Sequence, residues 1–135
     1  MTYRQVRLDL KRRQRIGMDE AVWGEHKTIE QILEILIELS QAGKSALVTR
    51  VCPDKANELI KRFNKAVFHP TSSCLTVGAP PDIDESIGEV YVLSGGTSDL
   101  KVASEAELAL KWHGVRSKLI LDVGVAGLHR LLTEL

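Results

Sequence analysis

A chain of 135 residues is long enough for one ordinary domain, or for a small domain and part of another. Its hydrophobic fraction of 44% and its charged fraction of 27% are typical of a globular protein and argue against a disordered chain. Because 18 basic residues balance 18 acidic ones, no global charge favours binding to nucleic acid or to an acidic membrane surface.

No apolar run is long enough to cross a bilayer, and the first residues, MTYRQ, lack the hydrophobic stretch of a signal peptide. We therefore expect a cytoplasmic protein with no membrane partner. Cys52 and Cys74 show no CxxC spacing, and the histidines share no metal-ligand spacing. The sequence thus predicts two reduced, half-buried cysteines and no metal site.

The N-terminal residues predict a helix over residues 3–15 that ends at Gly17 and has a narrow apolar face. Its basic residues Arg12, Arg13 and Arg15 are interpreted either as a solvated face or as a contact for phosphate or for another subunit. Residues 20–24 then predict a short strand. Trp23, like Trp112, is expected to pack in the fold rather than to stack on a base.

Thr28 and Gln31 have the spacing of a capping box, in which each side chain satisfies a backbone amide of the other residue. The following helix has an apolar face at helical spacing, and Gly43 is expected to end it in a left-handed conformation. This face comprises Ile29, Ile32, Leu33, Leu36 and Leu39. The other predicted elements are a strand at residues 45–51, a helix from Pro53 to about residue 63, and strands at residues 66–68 and 74–77 around a His69-Pro70 turn.

The second half of the chain begins after a stretch rich in proline and acidic residues, which predicts an extended linker. We therefore divide the chain into an N-terminal α/β module (residues 1–78), a linker (79–87) and a second domain (88–135). Residues 88–94 form a continuous apolar strand, as expected in a parallel sheet that is covered on both faces. A helix over residues 99–113 ended by Gly114, a strand over residues 117–121 and a helix from Gly127 complete a right-handed β-α-β-α arrangement.

Two glycine-rich turns connect these strands to their helices, at residues 94–99 (SGGTSD) and 122–130 (DVGVAGLHR). Each turn would let the backbone approach a ligand closely and would open a helix whose first amides can bind an anion. The hydroxyls of Thr97 and Ser98 add donors for phosphate oxygens, and Asp99 can accept from ribose hydroxyls. The alternative for Ser98 or Asp99 is a plain N-cap.

The second turn carries an imidazole beside a guanidinium. His129 is a candidate acid/base group because histidine titrates near neutral pH, and Arg130 is a candidate phosphate ligand or subunit contact. Asp122 lies at the carboxyl end of a strand, where open α/β sheets bind ligands. The candidate site therefore comprises His129 as the catalytic residue and, as substrate-binding residues, Gly95, Gly96, Thr97, Ser98, Asp99, Asp122, Gly124 and Arg130.

These turns carry a resemblance to a known family. Residues 95–99 (GGTSD), 102–106 (VASEA) and 122–132 (DVGVAGLHRLL) closely resemble the LarB family, which is related to PurE-type carboxylases. Residues 12–31 are similar to the leading region of the same family. The resemblance implies an α/β fold in which a small N-terminal α/β module precedes the first β-α-β-α part of a PurE-like domain, with the flavodoxin- or Rossmann-like three-layer parallel sheet.

The resemblance also implies an activity. The LarB family carboxylates the pyridinium ring of nicotinic acid adenine dinucleotide and releases AMP, towards a nickel-pincer cofactor. The implied partners are this nucleotide, carbon dioxide or bicarbonate, and further copies of the chain, since the family is octameric. No bound cofactor is implied, no nucleic acid is a partner, and magnesium is left open as an additional ion.

PurE relatives supply the implied residue roles. In them a Gly-Ser-x-Ser-Asp turn holds the phosphoribosyl group, and an Ala-His-Arg element supplies an acid/base histidine and a phosphate-binding arginine. Here Gly96 stands in place of the serine and Leu128 in place of the alanine, whereas His129 and Arg130 match.

The family is understood to activate the pyridinium ring with a late cysteine thiolate, a form of covalent catalysis. Cys52 and Cys74 do not match its position, so we expect the chain to be a fragment, or to complete its sheet with a partner, and to be inactive alone. Two alternatives stay open: a non-catalytic nucleotide-binding or oligomerisation module, and an aminoimidazole ribonucleotide carboxylase or mutase. A nicotinamide dehydrogenase fits poorly, because the first turn lacks GxGxxG.

Overall fold

The computed structural model describes residues 8–134, and the chain forms two compact units, Met1–Ala79 and Pro80–Leu135. The first unit contains α1 (Arg12–Ile16), β1 (Val22–Trp23), α2 (Ile29–Gln41), β2 (Ala46–Thr49), α3 (Pro53–Arg62), β3 (Ala66–His69) and β4 (Cys74–Val77). The second contains β5 (Glu89–Leu93), α4 (Leu100–Trp112), β6 (Arg116–Ile120) and α5 (Leu128–Glu134). Helices and strands mix in both units and each has a parallel strand pair, so the predicted α/β class is confirmed.

The first unit is built on one mixed sheet with the strand order β1-β2-β4-β3. β1 and β2 are parallel, whereas β4 is antiparallel to both of its neighbours. The apolar faces of α2 and α3 pack into the core of this unit, which removes their side chains from water. Fully buried side chains in this core include Ile32, Leu36, Val48, Leu59 and Leu75.

The start of α2 follows the predicted capping box. The backbone amide of Gln31 donates to the Thr28 hydroxyl over 3.1 Å, and the amide of Thr28 donates to the Gln31 side chain over 3.0 Å. Beyond the other end of this helix, Gly43 adopts a positive φ of 67°, as predicted. The capping box and Gly43 therefore mark the start and the end of α2 as the sequence predicted.

Helix α1 is shorter than predicted. It begins at Arg12, after a turn in which the Arg12 amide donates to the Asp9 carbonyl over 3.0 Å. Gly17 ends it with a φ of 81°, as predicted, while the predicted helical residues 3–7 lie outside the described residues. Arg13 and Arg15 are exposed and form ion pairs with Asp19 and Asp9, whereas Arg12 is half-buried, so a solvated face describes two of the three arginines.

In the second unit, β5 and β6 pair in parallel from Glu89 opposite Arg116 to Leu93 opposite Ile120. Helix α4 connects them and packs on the pair. Residues ahead of β5 are tied to the turn before β6, because the Asp84 amide donates to the Gly114 carbonyl over 2.7 Å. The division into residues 1–78, 79–87 and 88–135 stays a prediction.

The expectation that β5 is covered on both faces is wrong. Its residues alternate between exposed and half-buried, and Tyr91 and Leu93 are 49% and 52% exposed. Helix α4 covers the other face of the strand pair, to which Val90 and Val92 point. On the exposed face, hydrogen bonding with the Glu89 carboxylate and its negative charge raise the pKa of Tyr91, so this phenol stays neutral near pH 7.

Two smaller expectations are corrected. The cysteines are not half-buried, since Cys52 is exposed before α3 and Cys74 is fully buried in β4. Trp23 is 56% exposed rather than packed. Its indole N–H donates to Glu25 over 3.1 Å, and its ring meets that of His26 edge-on at 5.1 Å, so it lies on the surface of the edge strand β1. Within residues 8–134, no helix is long and apolar enough to cross a bilayer.

Candidate functional site

The predicted site residues lie in the second unit, beyond the carboxyl ends of β5 and β6. Because these strands are parallel and in register, Leu93 and Ile120 end them at the same edge. A glycine-containing turn follows each strand, and each turn enters a helix through a short 3₁₀ segment, Thr97–Asp99 before α4 and Val125–Gly127 before α5. Both predicted turns therefore lie side by side.

The two turns share one hydrogen-bonding pattern. The Asp99 amide donates to the Gly96 carbonyl over 3.1 Å, and the Gly127 amide donates to the Gly124 carbonyl over 2.7 Å. A trans peptide directs its carbonyl and its next N–H to opposite sides. The amides of Thr97 and Val125 therefore point out of their turns, away from these internal hydrogen bonds.

The turns touch through two glycines. A Cβ atom on Gly124 would lie 2.8 Å from the Gly95 carbonyl oxygen, which is closer than real Cβ contacts. A Cβ atom on Gly95 would lie 3.9 Å from the Gly124 Cα and 3.5 Å from a carboxylate oxygen of Asp99. Gly124 is thus required for the close approach of the two backbones, whereas the sequence predicted that the glycines serve the approach of a ligand.

Ser94, which is absent from the predicted set, joins the turns. Its amide donates to the Ile120 carbonyl over 2.9 Å, and its carbonyl accepts from the Val123 amide over 2.9 Å. Its hydroxyl donates to the Gly96 carbonyl over 3.2 Å, and the residue is 4% exposed. The sequence feature that could have identified Ser94 is its position, at the end of an otherwise apolar strand and just before two glycines.

The polar side chains of the first turn face solvent. Thr97, Ser98 and Asp99 are exposed, and no side chain of the described residues caps the 3₁₀ segment or α4. Asp99 occupies the N-cap position of α4, as the alternative interpretation allowed, but its carboxylate makes no capping hydrogen bond. Two hydroxyls and one carboxylate remain open to a ligand at this turn.

Arg130 and Asp122 form the ion pair of the second turn. Nη1 of Arg130 donates to the Asp122 carboxylate and, over 3.3 Å, to its carbonyl. Asp122 adopts a positive φ of 57°, which is uncommon for a residue other than glycine. Both side chains are more than half exposed, so the pair contributes only about 0–1 kcal/mol to stability. Asp122 thereby positions Arg130, and a direct contact of Asp122 with substrate stays a prediction.

His129 lies one residue before this arginine, near the start of α5. It is exposed, and within residues 8–134 its imidazole has no hydrogen-bond or ion-pair partner. Its acid/base role therefore depends on what a ligand offers it. That catalytic role stays a prediction.

Residues 8–134 contain no group of three or more histidine, cysteine, aspartate or glutamate side chains that could hold a metal ion. The carboxylates nearest to the turns are Asp99, which is exposed, and Asp122, which binds Arg130.

The first unit shows to which family the chain belongs. Residues 2–79 match the family model described as the LarB/PurE-like N-terminal domain. The chain belongs to the LarB/PurE-like family. This confirms the resemblance that the sequence motifs indicated. The match to this LarB/PurE-like model ends where the second unit begins, so the family rests on the first unit and the candidate site on the second.

A curated relative covers both units of this LarB/PurE-like chain. An uncharacterised protein of Methanocaldococcus jannaschii is 32% identical over 135 residues, which cover 96% of this chain and 53% of the relative. The chain spans about half the length of the curated relative that it matches.

Proposed function

We propose that this LarB/PurE-like chain binds a nucleotide through the phosphate and ribose groups and contributes this binding to a carboxylation of the LarB type. The proposed substrate is nicotinic acid adenine dinucleotide, with carbon dioxide or bicarbonate as the second substrate. The single observation that carries the proposal is the contact of the two glycine turns, in which Gly124 lies against Gly95 at the ends of paired parallel strands.

The first turn offers neutral donors to a phosphate. The hydroxyls of Thr97 and Ser98 are exposed, and the Thr97 amide points out of the turn. α4 has 13 residues, so the positive end of its dipole also favours an anion at this point. The carboxylate of Asp99 cannot bind phosphate but can accept hydrogen bonds from ribose hydroxyls.

The second turn offers a positive charge. Within residues 8–134 the hydrogen bonds of Arg130 leave from Nη1, so Nη2 and Nε remain for an anion. Charge-assisted hydrogen bonds of guanidinium to phosphate are about twice as strong as neutral ones. Because the exposed pair with Asp122 is weak, little free energy is lost if the guanidinium turns towards a phosphate.

A non-catalytic nucleotide-binding module is the second candidate function, and the side chains at the two turns favour it. Carboxylation of a pyridinium ring needs a nucleophile that first adds to the ring and makes it electron-rich. Cys52 and Cys74 both lie in the first unit, and residues 80–135 contain no cysteine. The second unit therefore carries groups for binding and proton transfer but no thiolate.

Calorimetric titration of the purified chain with nicotinic acid adenine dinucleotide tests the proposal. We expect saturable binding in the micromolar to millimolar range that is usual for enzyme substrates, with competition by AMP and none by free nicotinate. Release of AMP in the presence of bicarbonate would assign catalysis to this chain. Binding without AMP release would support the non-catalytic module, and the absence of saturable binding would contradict both functions.

A further inference from the structure

We propose that Ser94 is a positioning residue of the nucleotide site, whose hydroxyl holds the Gly96–Thr97 peptide so that the Thr97 amide faces the phosphate. This inference rests on the proposed function, because it concerns the same turns. It adds a residue that contacts no ligand and acts through the backbone of Gly96.

Ser94 connects three parts of the site with three hydrogen bonds. Its amide and carbonyl bind Ile120 at the end of β6 and Val123 in the second turn, each over 2.9 Å. Its hydroxyl alone reaches the first turn, over 3.2 Å to the Gly96 carbonyl. Any residue could form the two backbone hydrogen bonds. The specific contribution of the serine side chain is therefore its hydrogen bond to the Gly96 carbonyl.

The peptide after Gly96 depends on this hydrogen bond because no neighbouring atom restrains Gly96 sterically. Its φ of −164° and ψ of 176° are fully extended, and a Cβ atom there would meet nothing within 4 Å. A glycine peptide in open space rotates easily. Two donors fix its carbonyl, the Ser94 hydroxyl and the Asp99 amide at 3.1 Å, and together they use both lone pairs of the oxygen.

The burial of Ser94 indicates that the hydroxyl is retained for this contact. The residue is 4% exposed, whereas Leu93 before it is 52% exposed and Gly95 after it is exposed. A buried hydroxyl is unfavourable unless it is hydrogen-bonded, and this one bonds the carbonyl that sets the direction of the Thr97 amide.

Replacement of the hydroxyl tests this inference in the purified full chain. Ser94→Ala should weaken binding of nicotinic acid adenine dinucleotide about three- to tenfold, the range expected for one lost hydrogen bond. In a ¹⁵N-labelled sample without ligand, the Thr97 amide signal should shift or broaden. Ser94→Thr, which retains the hydroxyl, should bind within about twofold of the unmodified chain. Ser117→Ala in β6 is the matched control and should change neither readout.

The outcomes separate this inference from the proposed function. Unchanged binding by Ser94→Ala, in an assay where Arg130→Ala binds weakly, would overturn the role of Ser94 and leave the nucleotide site intact. Equally weak binding by Ser94→Ala and Ser94→Thr, with the melting temperature of Ser94→Thr unchanged, would also overturn it, because the hydroxyl would then be irrelevant. If the unmodified chain does not bind the nucleotide, the proposed function fails. An unchanged Thr97 signal in Ser94→Ala would independently overturn the positioning role.

Discussion

Gly124→Ala should reduce binding of nicotinic acid adenine dinucleotide by more than tenfold. The new Cβ atom would lie 2.8 Å from the Gly95 carbonyl oxygen, and a clash between two backbones cannot be relieved by a side-chain rotation. The φ of −62° and ψ of 171° at Gly124 suit alanine, so the effect is steric contact and not backbone strain. The turns must therefore separate, which moves the Thr97 amide and Arg130 apart.

The same substitution should lower the melting temperature, because overpacking of a close contact costs about 1–3 kcal/mol. Gly96→Ala is the matched control for stability. Its Cβ atom would meet nothing within 4 Å, and its extended backbone suits any residue, so its melting temperature should stay unchanged. Calorimetry and thermal unfolding of both variants check this. Unchanged nucleotide binding by Gly124→Ala would show that contact of the turns does not matter for the site.

Arg130→Ala should weaken binding of the same nucleotide about 10- to 150-fold. This range corresponds to the loss of about 1.5–3 kcal/mol for a hydrogen bond to a charged group. Its melting temperature should hardly change, since the ion pair with Asp122 is exposed and contributes about 0–1 kcal/mol. Arg130→Lys should fall between the two, because lysine retains the charge but not the planar arrangement of donors.

Arg116→Ala is the matched control for charge. Arg116 is an equally exposed arginine in an ion pair, 2.6 Å from Glu85, and it lies at the other end of β6. Its removal should leave nucleotide binding unchanged at constant ionic strength. Equal weakening by Arg116→Ala and Arg130→Ala would indicate general charge attraction and would remove the specific role of Arg130.

Much of the fold could be predicted because its signals are local. The capping box at Thr28 and Gln31 and the positive φ at Gly17, Gly43 and Gly114 depend on neighbours within one turn. Side-chain exposure depends instead on which elements pack together. The apolar run in β5 predicted a strand correctly, but burial of both its faces would need packing partners that the sequence of the strand does not specify.

In the candidate site too, local features could be predicted from the sequence and contacts between elements could not. Glycine content predicted both turns, whereas the contact of Gly95 with Gly124 follows from the register of Leu93 with Ile120 across the sheet. The sequence did not predict the ion pair of Asp122 with Arg130 or the positive φ of Asp122. Ser94 was missed because its role depends on a hydroxyl that reaches the backbone two residues ahead.

Titration of the ¹⁵N-labelled chain with nicotinic acid adenine dinucleotide, followed by amide chemical shifts, tests the central claim most directly. We expect the amides of residues 96–99 and 124–130 to shift together and to saturate with one dissociation constant, because a single nucleotide would contact both turns. Amides in the first unit, such as those of α2, serve as the internal reference. Saturable shifts confined to the first unit, with both turns unaffected, would contradict the assignment of the site.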